Sequence, residues 1–511
     1  MTRRLFAPLL VAALTVMAFT QAPDESVSLV ILHTNDTHGH LLPFSYPTVV
    51  PQGSELADLP ARHDIGGIAR RAALAAKIRA EATSRGATVW LVDVGDYADG
   101  TPFSTEYKGE ADVAAMNAAG YQFATIGNHE LNSTLDNLKA LITKTTYPVL
   151  VANATLKTTG APLAAVSRIE HVGPVRVAIF GLTTRSAQGY PAGKEGVQLA
   201  DEITTARELV PRLRAEADLV VLLSHCGEDM DEVLASEVPG IDVIVGGHSH
   251  TRLPTGKFVW RSDDLDSDSV NGTIIVQAHQ WGGELGRLDL LMRKDHEGAW
   301  RVARYRSRLV PITPDLPADP VVAAVVDRFW KPIAGKFGEV IGTAAGDFSS
   351  RGDDDTPYHL VADAVRETMG VEFALENEGG VRAPLVAGPI TRGDLVTMDP
   401  FNNTVILFKA TGAQIRALLA RNAPYGSGLR YRMVDGVVVD ATIGGQPLQD
   451  ARVYAGATNS YFAGVALRDL SVRDTGRIRL DVVVDYVRRQ RTVKPAYDGR
   501  RVVIGQRKRG E

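Results

Sequence analysis

Asp36 and His38, Asp96, Asn128 and His129, His225, and His248 and His250 each stand at or just beyond the end of a short apolar run. The runs are Val27–Leu32, Val89–Val94, Phe123–Ile126, Leu219–Ser224 and Ile241–Val245. Runs of this length read as buried strands, and polar residues at their exits read as one rim of one sheet. Asp36 and His38 are two residues apart, so extended chain puts both side chains on one side. Carboxylate, amide and imidazole donors, with no thiolate needed, suit zinc or manganese alike. A single carboxylate can bridge two such ions about 3.5–4 Å apart, and a water held between them is acidified towards a pKa of about 7. The chemistry implied is hydrolysis. Any one fragment also reads as a polar loop with a satisfied histidine, whereas five in succession point to one centre.

The elements that must position these residues follow from periodicity. The 511 residues, 45% of them hydrophobic, can bury more than one core. Strand-like and helix-like segments alternate to about residue 310, which is the pattern of an α/β domain. Asp64 is a candidate cap for a helix over 65–83, with Ile68, Ala72, Ala75 and Ile78 on one face. Another helix is expected over Ala111–Ala119, and Val175–Leu182 reads as a strand without ligands. From Pro311 the organisation changes. Asp319-Pro320 is a helix start, Val322, Val325, Phe329 and Ile333 form a stripe, and Pro332 should end or kink that helix. The chain after about residue 340 mixes strands and helices, including one over Leu360–Thr368.

Asp36-Thr37-His38, Gly95-Asp96, Gly127-Asn128-His129-Glu130, Ser224-His225 and Gly246-Gly247-His248-Ser249-His250 together resemble the calcineurin-like metallophosphoesterases. Within them the chain is similar to the exported 5′-nucleotidase and UDP-sugar hydrolase family. The resemblance implies a four-layered α/β/β/α metallophosphatase domain over 23–312, a linker helix over 313–340 and a separate α/β substrate-binding domain over 341–511. It also implies two divalent metal ions bridged by Asp96. Asp36, His38 and His250 would hold one, and Asn128, His225 and His248 the other. His129 would stabilise the transferring phosphoryl group. The family has an aspartate three residues after that histidine, where this chain has Asn132, which would orient the imidazole without offsetting its charge.

In the second half, Asn377-Glu378-Gly379-Gly380-Val381-Arg382, Pro400-Phe401-Asn402-Asn403 and Thr458-Asn459-Ser460-Tyr461 carry the likeness. By resemblance, Arg351 and Arg382 bind anionic groups of the substrate, Asn377 and Asn403 hydrogen-bond it, and Phe401 and Tyr461 stack on a base. Glu378 and the run Gly464-Val465-Ala466-Leu467 depart from the family pattern, the latter removing an aspartate that helps to hold the base. The expectation is an enzyme that releases phosphate from nucleotides, nucleoside 5′-monophosphates first. A hydrolase of UDP-sugars or 2′,3′-cyclic nucleotides and a thiosulfohydrolase are the alternatives, and a catalytically decayed nucleotide-binding or adhesion protein is the non-enzymatic one.

Arg3 and Arg4, the apolar run Leu5–Phe19 and small residues to Ala22 read as an export signal over 1–22, so a periplasmic or secreted protein is expected. Thr2-Arg3-Arg4-Leu5-Phe6 partly matches a twin-arginine address. Removing the leader takes two arginines from 55 basic residues and none from 60 acidic ones, leaving a formal charge of −7. That balance argues against a nucleic-acid polymer as partner. No further run is long enough for a membrane anchor. The single cysteine, Cys226, reads as a small buried residue, and Asp264, Asp266 and Asp268 as a solvated loop rather than a calcium loop.

Overall fold

The computed structural model describes residues 25–48, 50, 55–260 and 272–505. The expected leader and the Asp264, Asp266 and Asp268 loop lie outside the described residues. Ser26–Thr34 is the middle strand of a five-stranded sheet, ordered Trp300–Pro311, Glu284–Lys294, Ser26–Thr34, Thr88–Asp93, Phe123–Ala124. The last three strands run parallel. A six-stranded sheet lies against it, ordered Lys257–Trp260, Gly272–Val276, Val243–Gly246, Leu219–His225, Val175–Thr183, Ser167–Val172.

Period-two alternation sorts each strand's side chains into two layers. Leu29, Ile31 and Val92 meet Ile179, Val221 and Val245 between the sheets. Val30, Leu32 and Leu91 face the helices Ile68–Thr83 and Glu110–Ala119. Phe180, Leu222 and Ile244 face the helices Glu202–Glu216 and Glu228–Glu237. The result is the expected α/β/β/α order. A slip of one residue in any of these strands would exchange its two faces, so burial fixes the register. Register in turn decides which residues leave the sheet at the rim.

The first helix begins at Ile68 rather than 65, and Asp64 does not cap it. Gly66 and Gly67 take φ of +72° and +84°, Ile65 bridges to Phe44, and Asp64 turns its carboxylate to Arg70 Nη2 at 2.8 Å. A Cβ on Gly66 would lie 2.7 Å from the Phe44 ring, so two glycines hold an extended entry where helical periodicity alone suggests another turn. Asp319 does cap its helix, accepting from the amides of Val321 and Val322, and that helix, Pro320–Trp330, ends before Pro332. Val322 and Val326 are buried in the first half's helical core, while Ile333 and Phe337 pack on Val396 of the second half.

The second half centres on a five-stranded sheet ordered Tyr425–Ser427, Phe373–Glu376, Val453–Asn459, Thr404–Thr411, Val472–Ile478. The helix expected over 360–368 runs over Thr356–Met369 and stops at Gly370, φ +66°. Val365 and Val482 pack it and the helix Arg479–Gln490 onto the sheet through Ala374, Val405 and Ala457. Among the described residues no helix is long and apolar enough to cross a membrane.

Candidate active site

The strand exits bring the expected ligands together. Asp36 Oδ1 lies 3.3 Å from His250 Nε2, and His250 Nε2 lies 3.1 Å from His38 Nε2. Across the cluster, His225 Nε2 is 3.2 Å from both Asp96 Oδ2 and Asn128 Oδ1. Donor atoms of Asp36, His38 and His250 fall within 4.8 Å of one another, as do those of Asp96, His225 and His248. Asp96 Oδ2 is also 3.9 Å from His38 Nε2, so its carboxylate faces both groups.

The backbone is bent to achieve this. Asp36, His38, Asp96, His248 and His250 all have positive φ, between 45° and 73°. Left-handed conformation at non-glycine residues costs roughly 1–3 kcal/mol each and persists only where the surroundings enforce it. Gly95 and Gly127 allow the approach, since a Cβ on Gly127 would lie 2.1 Å from Asp96 Oδ1. Buried Glu130 ties the two exits together by accepting from the amides of Asp96, Ala98 and Gly127 at 2.9, 3.0 and 2.7 Å. Burial, reinforced by the Asp96 charge, pushes the Glu130 carboxyl up to about 7.

The donors fit divalent cations. His38 Nδ1 meets the Asp99 carbonyl at 2.9 Å and His225 Nδ1 meets the Val94 carbonyl at 2.7 Å. Carbonyls only accept, so each Nδ1 carries the proton and each Nε2 turns a lone pair inward, the outer hydrogen bond typical of a ligating histidine. The Nε2 atoms of His38 and His250, 3.1 Å apart, are close enough to share one proton or one cation. The electrostatics agree. Burial opposes charge on Asp96, yet His225 and His129 hold it well below the carboxylate range. Burial likewise opposes charge on His225, yet Asp96 overrides it and raises the imidazole to about 10, so a cation that binds there displaces a proton from Nε2.

His129 borders the ligands, with a donor atom within 4.8 Å of those of His38 and Asp96, but its other ring nitrogen is engaged by an acid outside the cluster. Its Nδ1 is 2.9 Å from Asp99 Oδ2, and its Nε2 is 3.9 Å from Asp96 Oδ2. Asn132, expected to orient this ring directly, instead donates Nδ2 to Asp99 Oδ2 at 2.6 Å. The carboxylate beside His129 therefore comes from residue 99, and Asn132 acts on that carboxylate. Burial lowers the His129 pKa, but Asp96 and then Asp99 raise it above the ordinary histidine value.

A cavity of about 720 Å³ opens beside His129 between the two halves. Asp99, Asn132 and Tyr190 line one wall, and Asn377, Arg382, Phe401, Asn403 and Tyr461 line the other. The Arg382 charge acts on both His38 and His129. Asn377 and Asn403 have partners within the protein: Asn377 bonds Asn459 and the Glu378 carbonyl, and Asn403 Oδ1 accepts from Ser460 and Tyr461. Arg351 is not among the residues lining this cavity; its guanidinium lies 4.0 Å over the Tyr497 ring.

Residues 29–252 match the calcineurin-like phosphoesterase family, and residues 340–466 match the 5′-nucleotidase C-terminal domain. In order along the chain, the two matches make it similar to a calcineurin-like phosphoesterase joined to a 5′-nucleotidase C-terminal domain. It is 28% identical to Protein UshA of Yersinia enterocolitica over 526 residues, covering 91% of each chain. It is 27% identical to a 5′-nucleotidase of Vibrio vulnificus over 497 residues, covering 86% of each. The crystal structure of a 5′-nucleotidase precursor from Thermus thermophilus superposes with a TM-score of 0.81 at 26% identity, covering 94% of this chain and 100% of that one.

Two residues that organise the site and the cleft escape sequence reasoning. Asp99 is one; its only signal is a second acid followed by glycine in the loop that already carries Asp96. Arg479 is the other. Fully buried, it bonds Asp399 through Nε and Nη2 at 2.8 and 2.6 Å, Glu376 through Nη1 at 2.5 Å and the Gly380 carbonyl at 2.7 Å. It thereby holds the loops that carry Arg382 and Phe401.

Proposed function

We propose that this metal-dependent phosphohydrolase binds a nucleotide in the cavity between its halves and releases phosphate, with nucleoside 5′-monophosphates as the first substrate class. The observation that carries this reading is the convergence of two ligand groups on Asp96 beside a cleft whose far wall presents Arg382, Phe401 and Tyr461. In it, Asp36, His38 and His250 would hold one divalent ion, Asn128, His225 and His248 would hold a second, and Asp96 would serve both. The ions, zinc or manganese, supply Lewis acidity towards the phosphoryl oxygens and an acidified water.

The protein's own groups do the rest. Positively charged His129, supported by Asp99, sets a donor at Nε2 beside the cluster, where negative charge grows on the transferring group. Arg382 offers a planar fork that suits phosphate oxygens. Phe401 and Tyr461 give a base two apolar faces, and Tyr461 is 62% exposed, so its ring is free to receive one. Asn377 and Asn403 fix the loops that place these groups. Export by the leader puts the enzyme outside the cytoplasm, acting on small nucleotides rather than nucleic-acid polymers.

Purified protein loaded separately with zinc and manganese is to be assayed on AMP, UDP-glucose, 2′,3′-cyclic AMP and a thiosulfate-conjugated peptide. Phosphate release fastest from AMP is expected. Preference for the peptide, or no turnover with either metal, overturns the reading.

A further inference from the structure

Asp354, His359 and Asp498 form a second cluster of ligating side chains, in the carboxy-terminal half and outside the cleft, with donor atoms within 4.8 Å of one another. His359 lies in the first turn of the helix Thr356–Met369 and is 2% exposed. Its Nδ1 is 3.0 Å from the Ala496 carbonyl oxygen, which can only accept, so Nδ1 carries the proton and Nε2 the lone pair. That Nε2 is buried and has no hydrogen-bond partner, a condition folded proteins rarely keep. It faces Asp354, whose Oδ1 is 3.9 Å away, beyond hydrogen-bond length. A lone pair set against two carboxylates is a cation's environment. Protonation does not relieve it, since burial and then the Arg500 charge hold His359 below the ordinary histidine value.

We propose that Asp354, His359 and Asp498 hold one divalent transition-metal ion, separate from the catalytic cluster. One imidazole with two carboxylates suits zinc or manganese better than calcium or magnesium, which favour all-oxygen shells. Zinc donors at about 2.0–2.2 Å in a tetrahedron lie roughly 3.3–3.6 Å apart, so the three side chains close by about an ångström and leave one position to water. Neighbouring groups already orient these ligands. Ala496 fixes the tautomer, and the Gly499 amide donates to both oxygens of Asp354, at 3.2 and 3.0 Å. Asp498 is shared. Arg500 donates to it from Nε at 3.0 Å and Nη2 at 3.1 Å, and Arg430 from Nη2 at 3.1 Å. A carboxylate has about four lone-pair sites, so one stays open to the ion while the guanidiniums keep theirs; their charge limits affinity.

The ion would staple three segments: the hairpin Ser350–Arg351 with Asp354–Asp355, the first turn of the helix, and the turn before the strand Arg501–Ile504. Asp353 already bonds the Val503 amide at 2.8 Å across the same junction. The role is structural. It fixes the hairpin that carries Arg351 and needs no part in turnover.

Full-length protein, His359→Gln and Asp354→Asn are to be dialysed to equilibrium against zinc alone, and bound metal counted by elemental analysis. Each variant should hold one zinc fewer than wild type and hydrolyse a small aryl phosphate at the wild-type rate, and zinc should raise Tm less in the variants than in wild type. Equal zinc in all three proteins overturns the proposal, whether water or nothing fills the site. A variant that loses all of its zinc also overturns it, because the two clusters would not be independent. The count is made without a nucleotide, so a failed substrate assignment leaves it unaffected.

Discussion

His129 Nδ1 and Asp99 Oδ2 are 2.9 Å apart, and the same oxygen accepts Asn132 Nδ2 at 2.6 Å. The carboxylate supports charge on the imidazole, and the amide fixes the carboxylate. Asp99→Asn keeps a hydrogen-bonding group but removes the charge, so the His129 pKa, raised in the wild type, must fall. Protonated His129 exists below its pKa, so the limb lost as pH rises moves to lower pH, and the rate at neutrality drops roughly tenfold or more. Asn132→Asp sets a second carboxylate against Asp99, where like charges favour a retained proton, and should move that limb less. A pH–rate profile in which Asn132→Asp shifts the limb further than Asp99→Asn makes residue 132 the direct partner after all.

Asp96 faces both ligand groups, whereas His129 borders Asp96 and His38 through one ring nitrogen and is tied to Asp99 through the other. Asp96→Ala should therefore lose metal and turnover together. His129→Ala should keep its metal and lose about 10²–10⁴-fold in rate, the range of a positioned acid–base or charge-stabilising group. Elemental analysis of the two variants separates the roles: metal lost from His129→Ala would make that residue a ligand.

The convergence of Asp36, Asp96, Asn128, His225 and His248 is legible because each follows the end of a buried strand whose register burial fixes, so the strand exits share one rim, although the positive φ that turns Asp36, Asp96 and His248 inward is not written in the period. Asp99 was not legible, since it belongs to an irregular loop whose path depends on positive φ at Asp96 and Asp99 rather than on any period. The start of the first helix failed for a related reason: Gly66 and Gly67 are turn residues inside an apolar pattern that still reads as helical. Arg479 was hidden by distance, its partners Asp399 and Glu376 lying 80 and 103 residues away. Nothing local marks an arginine at a helix start as the anchor of loops so far off in sequence.

Phe401 lines the cleft and belongs to none of the buried hydrophobic clusters, which favours a stacking surface over a core position. Phe401→Ala should weaken nucleotide binding by about 1–3 kcal/mol, the scale of one lost base–aromatic stack. Hydrolysis of a small aryl phosphate should stay near the wild-type rate. Competition by AMP against the aryl phosphate measures both at once, and equal losses on the two would mean that the ring only supports its loop.

Arg479 is fully buried between Glu376 and Asp399, themselves inaccessible to solvent, and its backbone amide donates to the Asn403 carbonyl at 2.8 Å. Two carboxylates share one guanidinium, so the side chain neutralises a charge that burial would otherwise forbid. Arg479→Met keeps much of the apolar stem and strands both acids, a loss of about 3–5 kcal/mol for a broken buried pair. The cheaper escape for the protein is to protonate one of them, and burial already raises the Glu376 pKa above its ordinary value. The loss should then be largest at neutral pH and shrink as pH falls through the range where Glu376 takes up its proton, which urea unfolding at several pH values would show. Metal bound at the Asp96 cluster should be unchanged, because that cluster lies wholly in the first half. The Michaelis constant for AMP should rise with the loosened Arg382 and Phe401 loops. A destabilisation independent of pH would mean that Arg479 matters for packing and not for charge.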